Sequence, residues 1–420
     1  MSSAAAAQRP SAPSPAGPAP GAPSPRRQQG VAAGITVVTL GFLPVVAIVS
    51  MFPAVPAIIA HFAARDPAAM TKVPSMVSAP GLTVALLALL AGVLVDRFGR
   101  RKLLLVATAL YGFVGAAPFF LDNLDQIYAS RLALGVAEAA ILTTLNTLIG
   151  DYWDEKGRHL WLTVQGLVGP FLGSAVILAS GYLTQIRWNA MFLIYAVGFP
   201  AFFACLAFLK EPESDQAARA MLGMDESAQG FPWRAVSTFG AVTLLGSALY
   251  YVFIINGGLV WQEIGVKDPA EIGRLTTIPS LFVMAGAGLF WLTSRFGARA
   301  QLFGLFALLG GGLAMIGLIH NPLGMAGAMA VQQTGAGMAV PALIAWAQSH
   351  LPFEHRGRGM GVWTACFFFG QFSSPLLVSL VRHFAGTMQG AFLVAGLFGL
   401  ACAGLVLFLV KGRDAAPNGA

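Results

Sequence analysis

Gly92-Val93-Leu94-Val95-Asp96-Arg97-Phe98-Gly99-Arg100-Arg101-Lys102 crowds five charged side chains into eleven residues of a chain that is only 10% charged. Apolar runs flank it at 75–95 and 103–121. Each is close to the ~20 residues a helix needs to cross a hydrocarbon core of ~30 Å. Charge gathered where two such runs meet reads as a loop at a membrane face. The rest of the 420-residue chain repeats the pattern. It is 56% hydrophobic with a mean hydropathy of +0.72, whereas a soluble domain is about a quarter charged. Twelve apolar runs follow one another: 31–52, 75–95, 103–121, 127–150, 160–183, 190–209, 236–258, 275–293, 301–319, 325–348, 360–381 and 391–410. The spacing predicts an all-α integral membrane protein with two bundles of six helices, 30–209 and 236–410, joined by a polar linker at 210–235. Cys205, Cys366 and Cys402 lie inside apolar runs, with no spacing for a disulfide framework or a metal.

The basic residues set the orientation. With both ends of the chain on one face, that face collects 18 of the 25 Lys and Arg, the other face 6, and Arg131 stays inside a span. This bias predicts a multi-pass protein of the cell (inner) membrane with both termini in the cytoplasm. It also assigns the net charge of +7 to topology and anionic lipid, not to nucleic acid. Residues 1–29, rich in Ala, Pro, Ser and Gly, read as a disordered cytoplasmic tail, and 411–420 as a second tail. Arg26-Arg27 reads as a positive-inside anchor; a twin-arginine export signal is the alternative, without the usual residues after the pair.

The two halves echo each other. Arg97-Phe98-Gly99 returns as Arg295-Phe296-Gly297, 198 residues on, and Gly157-Arg158 returns as Gly357-Arg358, 200 on. Matching positions in a six-plus-six layout favour a duplicated transporter.

The stretch Gly92–Lys102 resembles the loop between helices 2 and 3 of the major facilitator superfamily, G-x-L-x-D-R-x-G-R-R/K. The resemblance implies a gating loop made of Gly92, Asp96, Arg97, Gly99, Arg100 and Arg101. In it Asp96 faces the start of helix 11 near Gly359, and Arg100 relays to an acid ending helix 4, for which Asp151 stands. Gly99 suits a turn with positive φ, and an acid near a helix N-terminus complements its dipole. The plainer alternative is a basic cluster that only fixes topology. Ser294 and Ala298 replace the second-half counterparts of Asp96 and Arg100, which predicts an asymmetric latch.

Helix 4 carries Arg131-Leu132-Ala133-Leu134-Gly135, similar to the family's R-x-x-x-G. Arg131 and Glu138 are two turns apart on one face, with Glu138 about 10 Å deeper at 1.5 Å per residue. A charge at such depth costs several kcal/mol and marks a pathway by default. A carboxyl taken out of water favours its neutral form, so Glu138 is the expected proton carrier with Arg131 beside it. The alternative is a Glu138 kept for packing alone.

In helix 5, Gly169-Pro170-Phe171-Leu172-Gly173-Ser174 resembles the G-P-x-x-G-G segment of the family's antiporters, drug:proton exporters in particular. Ser174 departs from the last glycine, and Gln165 stands where an upstream glycine is expected. Pro53-x-x-Pro56 and Leu209-Lys210-Glu211-Pro212 are also similar to that subfamily. Polar or aromatic side chains at mid-span depth, Gln165, Tyr250, Asn256, Gln332, Gln333, Trp346 and Gln371, make a weak set for a substrate cavity. Phe171, Tyr251 and Phe367-Phe368-Phe369 add aromatic surface; on membrane helices such rings also face lipid.

No Walker A sequence is present and the histidines lack ligand spacing. The expectation is a proton-coupled secondary transporter exporting small hydrophobic or amphipathic compounds. It has no catalytic residues, no metal and no cofactor, and a proton gradient supplies the energy. Its partners are the bilayer, the small substrate and protons, and the resemblance implies a monomer. The alternative is a proton symporter taking up an organic anion, with Arg131 on its carboxylate. A membrane enzyme or receptor would need a polar cluster at one depth, and the single embedded acid argues against it.

Overall fold

The computed structural model describes residues 29–88, 99–211, 231–351 and 355–410. Helices dominate, and no strand occurs among the described residues. In the first half, α1 is built from three pieces, Val31–Gly41, Leu43–Val49 and Val55–Phe62; α2 is Ala69–Leu87, α3 Arg100–Ala116, α4 Leu124–Tyr152 and α5 Glu155–Ile186. α6 begins as the 3-10 turn Ala190–Val197 and continues as Gly198–Phe208. In the second half, α7 is Trp233–Glu263, α8 is Pro269–Ser280 with Val283–Thr293, α9 Ala298–Leu318, α10 Pro322–Ser349, α11 Arg356–Ala385 and α12 Met388–Leu409.

A helix therefore stands on each of the twelve apolar runs, and several start earlier than hydrophobicity alone predicts. Polar caps explain the extra turns. Asp66 accepts from Ala68 N ahead of α2, Asn123 from Asp125 N and Gln126 N ahead of α4, and Asp154 from Gly157 N in α5. Each gives an otherwise unpaired backbone donor a partner. Among the described residues, ten of the helices are long and apolar enough to cross a bilayer. The other two are α2 and α10. α10 carries Gln332, Gln333 and Thr334, and its inward face is covered by neighbours: Gln332, Gly335 and Ala339 are buried.

The repeat seen in the sequence is also a repeat of backbone shape. Gly99 and Gly297 open α3 and α9 with φ of 81° and 79°, a region that favours glycine. Arg101 donates to Leu206 O at the end of α6, and Arg299 donates to Val410 O at the end of α12. Asn123 and Asn321, 198 residues apart, cap α4 and α10. Close helix approach recurs as well. A Cβ on Gly135 of α4 would strike Pro80 O of α2, and one on Gly337 of α10 would strike Val283 O of α8. The charges of the loop diverged while its turn did not.

The helix ends define two faces. On the terminal face, where α1 begins and α12 ends, Tyr152 OH donates to Lys210 O and Trp153 Nε1 to Gln29 O at 3.2 Å. On the far face, the loops bring Arg65 and His61 onto Asp122, and Lys72 onto Asp66 and Asp125. Between the halves, α2 packs on α11, α5 on α8, and the end of α1 on α7.

Candidate functional site

Arg131 and Glu138 both lie on α4, and Glu138 is at its midpoint, 14 residues from Leu124 and from Tyr152. Both side chains are buried, at 1% and 2% exposure. Arg131 is held by packing more than by charge. Its Nη2 donates to Gly115 O of α3 at 2.8 Å. Its guanidinium lies 4.5 Å from the Tyr195 ring centre and 5.1 Å from that of Phe192, both on the 3-10 turn of α6. Such stacking suits a planar, weakly hydrated cation. Nε and Nη1 have no hydrogen-bond partner.

Tyr195 is fixed in turn by the break in α1. Pro53 cannot donate an amide, and Met51 N bonds Ile48 O, so the helix leaves carbonyls of the preceding turn open. Tyr195 OH donates to one of them, Ala47 O, at 2.6 Å, and Ser180 Oγ of α5 donates to Ser50 O. Tyr111 of α3 donates to Leu43 O at 2.7 Å. The proline motif closing α1 thus seats Tyr195 beside Arg131, and Tyr111 is anchored one break earlier, at the start of the second piece of α1.

Glu138 makes no ion pair with Arg131, and its Oε1 has no partner. It is within electrostatic reach of Arg131, Tyr111 and Tyr195 in its own half and of Tyr251 on α7 in the other. Tyr251 belongs to an aromatic cluster. It meets Tyr250 edge-on at 4.7 Å and Phe367 of α11 at 5.8 Å, and Phe367 stacks on Trp363 at 5.1 Å. The site is a buried acid from one half opposite an aromatic wall from the other.

The remaining sequence-predicted residues do not gather there. Gln332 sits with its Cα and Cβ against Gly312 of α9, inside the second bundle, and both amide atoms lack partners. Asn256 donates to Val252 O on its own helix, and its chain neighbour Gly257 faces Phe52. Gln371 packs on Gly81 of α2, and Gln165 on Gly41 of α1. Gln333 is buried on α10; Trp346, near its terminal-face end, is ringed by His350. Phe171 is 56% exposed on the outer surface.

Of the antiporter-like segment, Gly169 takes the Phe42 ring at the first break of α1, α5 runs unbroken through Pro170, and Gly173 faces open space. Ser174, where the pattern has glycine, hydrogen-bonds Ser280 of α8 across the two halves at 2.6 Å. In the gating loop, Gly92, Asp96 and Arg97 lie outside the described residues, as does the side chain of Asp151. The start of α3 is described: Glu211 accepts from Arg100 N at 2.7 Å and Arg101 N at 2.9 Å. A carboxylate three residues past the end of α6 so caps α3 across about 110 residues of chain.

Sequence reasoning missed Tyr195, Phe192, Trp363 and the cap by Glu211. The Lys210-Glu211-Pro212 ending carries the only sequence signal for any of them. An acid just after an apolar run, facing a glycine-arginine turn, can serve as a cap.

Known proteins share this architecture. The family model described as Major Facilitator Superfamily matches residues 37–264 and 239–420. A 4-hydroxybenzoate transporter of Pseudomonas aeruginosa is 25% identical over 319 residues, 66% of this chain and 69% of that protein. A gallate transporter of Pseudomonas putida is 25% identical over 372 residues, 79% of this chain and 82% of its own. A class G tetracycline resistance protein of Vibrio anguillarum is 26% identical over 349 residues, 77% and 84% of the two chains. Among solved structures, the xylose transporter XylE from E. coli in its inward-open conformation superposes with a TM-score of 0.71. Its identity is 15%, over 91% of this chain and 97% of that one, so the likeness is one of fold.

Proposed function

Because this chain belongs to the Major Facilitator Superfamily and is therefore a multi-pass membrane transporter, we propose that Glu138 couples it to protons. The reading is a secondary exporter of small, largely apolar compounds, working by alternating access in the inner membrane with its terminal face in the cytoplasm. One observation carries it: a carboxyl at mid-membrane depth, 2% exposed, with an oxygen that no group satisfies. An unpaired charge there costs several kcal/mol. A bound proton removes that cost, and a change in how well water is kept from the carboxyl changes how firmly the proton is held. Rocking of the two halves supplies such a change, since Tyr251 of the other half lies within electrostatic reach of Glu138, whereas Arg131 shares α4 with it and moves along. The aromatic wall suits a flat, apolar substrate.

The same machine run inward is the second reading: proton-driven uptake of an aromatic acid. It is favoured by the hydroxybenzoate and gallate transporters, whose similarity spans two thirds or more of both chains. The tetracycline resistance protein, matched over a similar length, favours export. Arg131 is a poor carboxylate binder in this geometry, being buried against two rings.

The test starts with tetracycline, 4-hydroxybenzoate and gallate in a thermal-shift panel. Flux of any hit is then measured in proteoliposomes under imposed pH gradients. The wild type is expected to move protons with substrate. Glu138→Gln is expected to lose gradient-driven accumulation by at least tenfold while keeping substrate exchange. Wild-type coupled flux in Glu138→Gln would overturn the assignment, and the sign of the gradient that drives accumulation separates export from uptake.

A further inference from the structure

Far from Glu138, on the far face, a cavity of about 290 Å³ opens where the two halves meet. Met70 at the start of α2 forms its wall from the first half. Leu259, Gln262 and Glu263 of α7, Lys267 just beyond, Arg382 of α11 and Met388 of α12 form the rest. Its chemistry is lopsided. Glu263, the only carboxylate in the wall, is already engaged: its two oxygens accept from Met388 N at 2.6 Å and Gln389 N at 2.8 Å, capping α12. Lys267 and Arg382 make no ion pair among the described residues. Two cations without an ion-pair partner thus share a small cavity with one engaged carboxylate, an amide, two thioethers and a leucine.

We propose that this cavity is a second ligand site, which binds the carboxylate of a small organic acid with a compact apolar body. Arg382 offers a planar fork matched to a carboxylate and Lys267 a mobile point charge. Met70, Leu259 and Met388 line the space for the body, and methionine adapts to varied shapes. The volume is at the small end of ligand sites, suited to one ring. Because Met70 comes from one half and the other walls from the second, separation of the halves on the far face dismantles the site. An occupant therefore favours the state closed on that face. The inference is independent of proton coupling by Glu138 and of transport direction.

Benzoate is the probe, with benzyl alcohol as its neutral counterpart, on the full chain in phosphatidylcholine nanodiscs. Equilibrium dialysis of labelled benzoate is expected to show saturable binding that weakens with salt. Lys267→Gln and Arg382→Gln are each expected to raise Kd about tenfold, the scale of one charge-assisted hydrogen bond. Met70→Trp, which fills the cavity from a residue already 40% exposed, is expected to abolish binding with both charges kept. Four results would each overturn the proposal. They are no benzoate binding, binding indifferent to the three cavity variants, equal affinity for benzyl alcohol, and tenfold weaker binding in phosphatidylglycerol nanodiscs, which would assign the cations to a lipid headgroup.

Discussion

At Arg131, shape decides more than charge. The guanidinium lies against Tyr195 and Phe192 and reaches Gly115 O with one nitrogen. A lysine keeps the charge but loses the plane that both rings cover. Arg131→Lys is expected to cost about 1–2 kcal/mol from the lost stacking alone, read as a lower Tm in detergent. Substrate exchange should fall less than coupled flux, since the cation beside Glu138 has moved. An unchanged Tm would show that the rings are mere neighbours. The two charges of α4 were legible in the sequence, because a charge inside an apolar run stands out and a seven-residue spacing fixes a shared helix face. Their surroundings were not. Tyr195 reaches Arg131 only because α6 starts as a 3-10 turn and because the break in α1 leaves Ala47 O for its hydroxyl. Neither event has a local pattern.

Elements are tied together at their ends, where the polar residues are. Asp122, between α3 and α4, takes Arg65 Nη1 at 2.7 Å and His61 Nε2 at 2.7 Å, while the His61 ring stacks on Trp188 at 4.2 Å. One carboxylate so gathers the end of α1, the α3–α4 loop and the α5–α6 loop. The Arg65 hydrogen bond, followed by that of His61, holds the Asp122 carboxyl at about 2, below its ordinary 3.8. A depressed value adds stability above the ordinary carboxylate range, lost as pH falls toward the folded value. The Tm difference between wild type and Asp122→Asn is therefore expected to be constant above about pH 5 and to shrink between about pH 4 and pH 2. A difference that grows on acidification would have the sign wrong and would remove Asp122 from the brace. Caps of this kind also explain why the apolar runs located the helices but not their first turns. Hydropathy ends where the core ends, whereas Asp66, Asn123 and Asp154 carry the helices on into the interface.

Across the whole molecule, the boundary between the halves is held by small residues and few polar contacts. Lipid gives two apolar helices no hydrophobic reason to associate, so contact rests on close packing of small residues and on sparse hydrogen bonds. The described contacts fit that: Ser174 with Ser280 at 2.6 Å, Ser78 Oγ with Phe372 O at 3.4 Å, Phe52 on Phe253 at 5.2 Å. They run from mid-depth to the far face, and there α1 and α7 meet closely. A Cβ on Gly258 would lie 2.6 Å from Phe52 O and 3.2 Å from Pro56 Cδ. The sequence showed glycines at these places but not which face they seal, since that is a choice between two packings of the same halves. Gly258→Leu tests whether the seal is part of the cycle. Overpacking of this sort costs about 1–3 kcal/mol, all of it charged to the state closed on the far face, which shifts a two-state balance by about 5–150-fold. Asn256, 1% exposed beside the seal, is the reporter. With Cys205, Cys366 and Cys402 replaced by serine, Asn256→Cys is expected to be shielded from an impermeant maleimide added on the far face. Adding Gly258→Leu is expected to speed its labelling at least fivefold and slow transport in the same measure. Faster labelling with undiminished transport would mean that the contact seals the resting protein without being remade in each turnover, and equal labelling would mean that α1 and α7 part elsewhere.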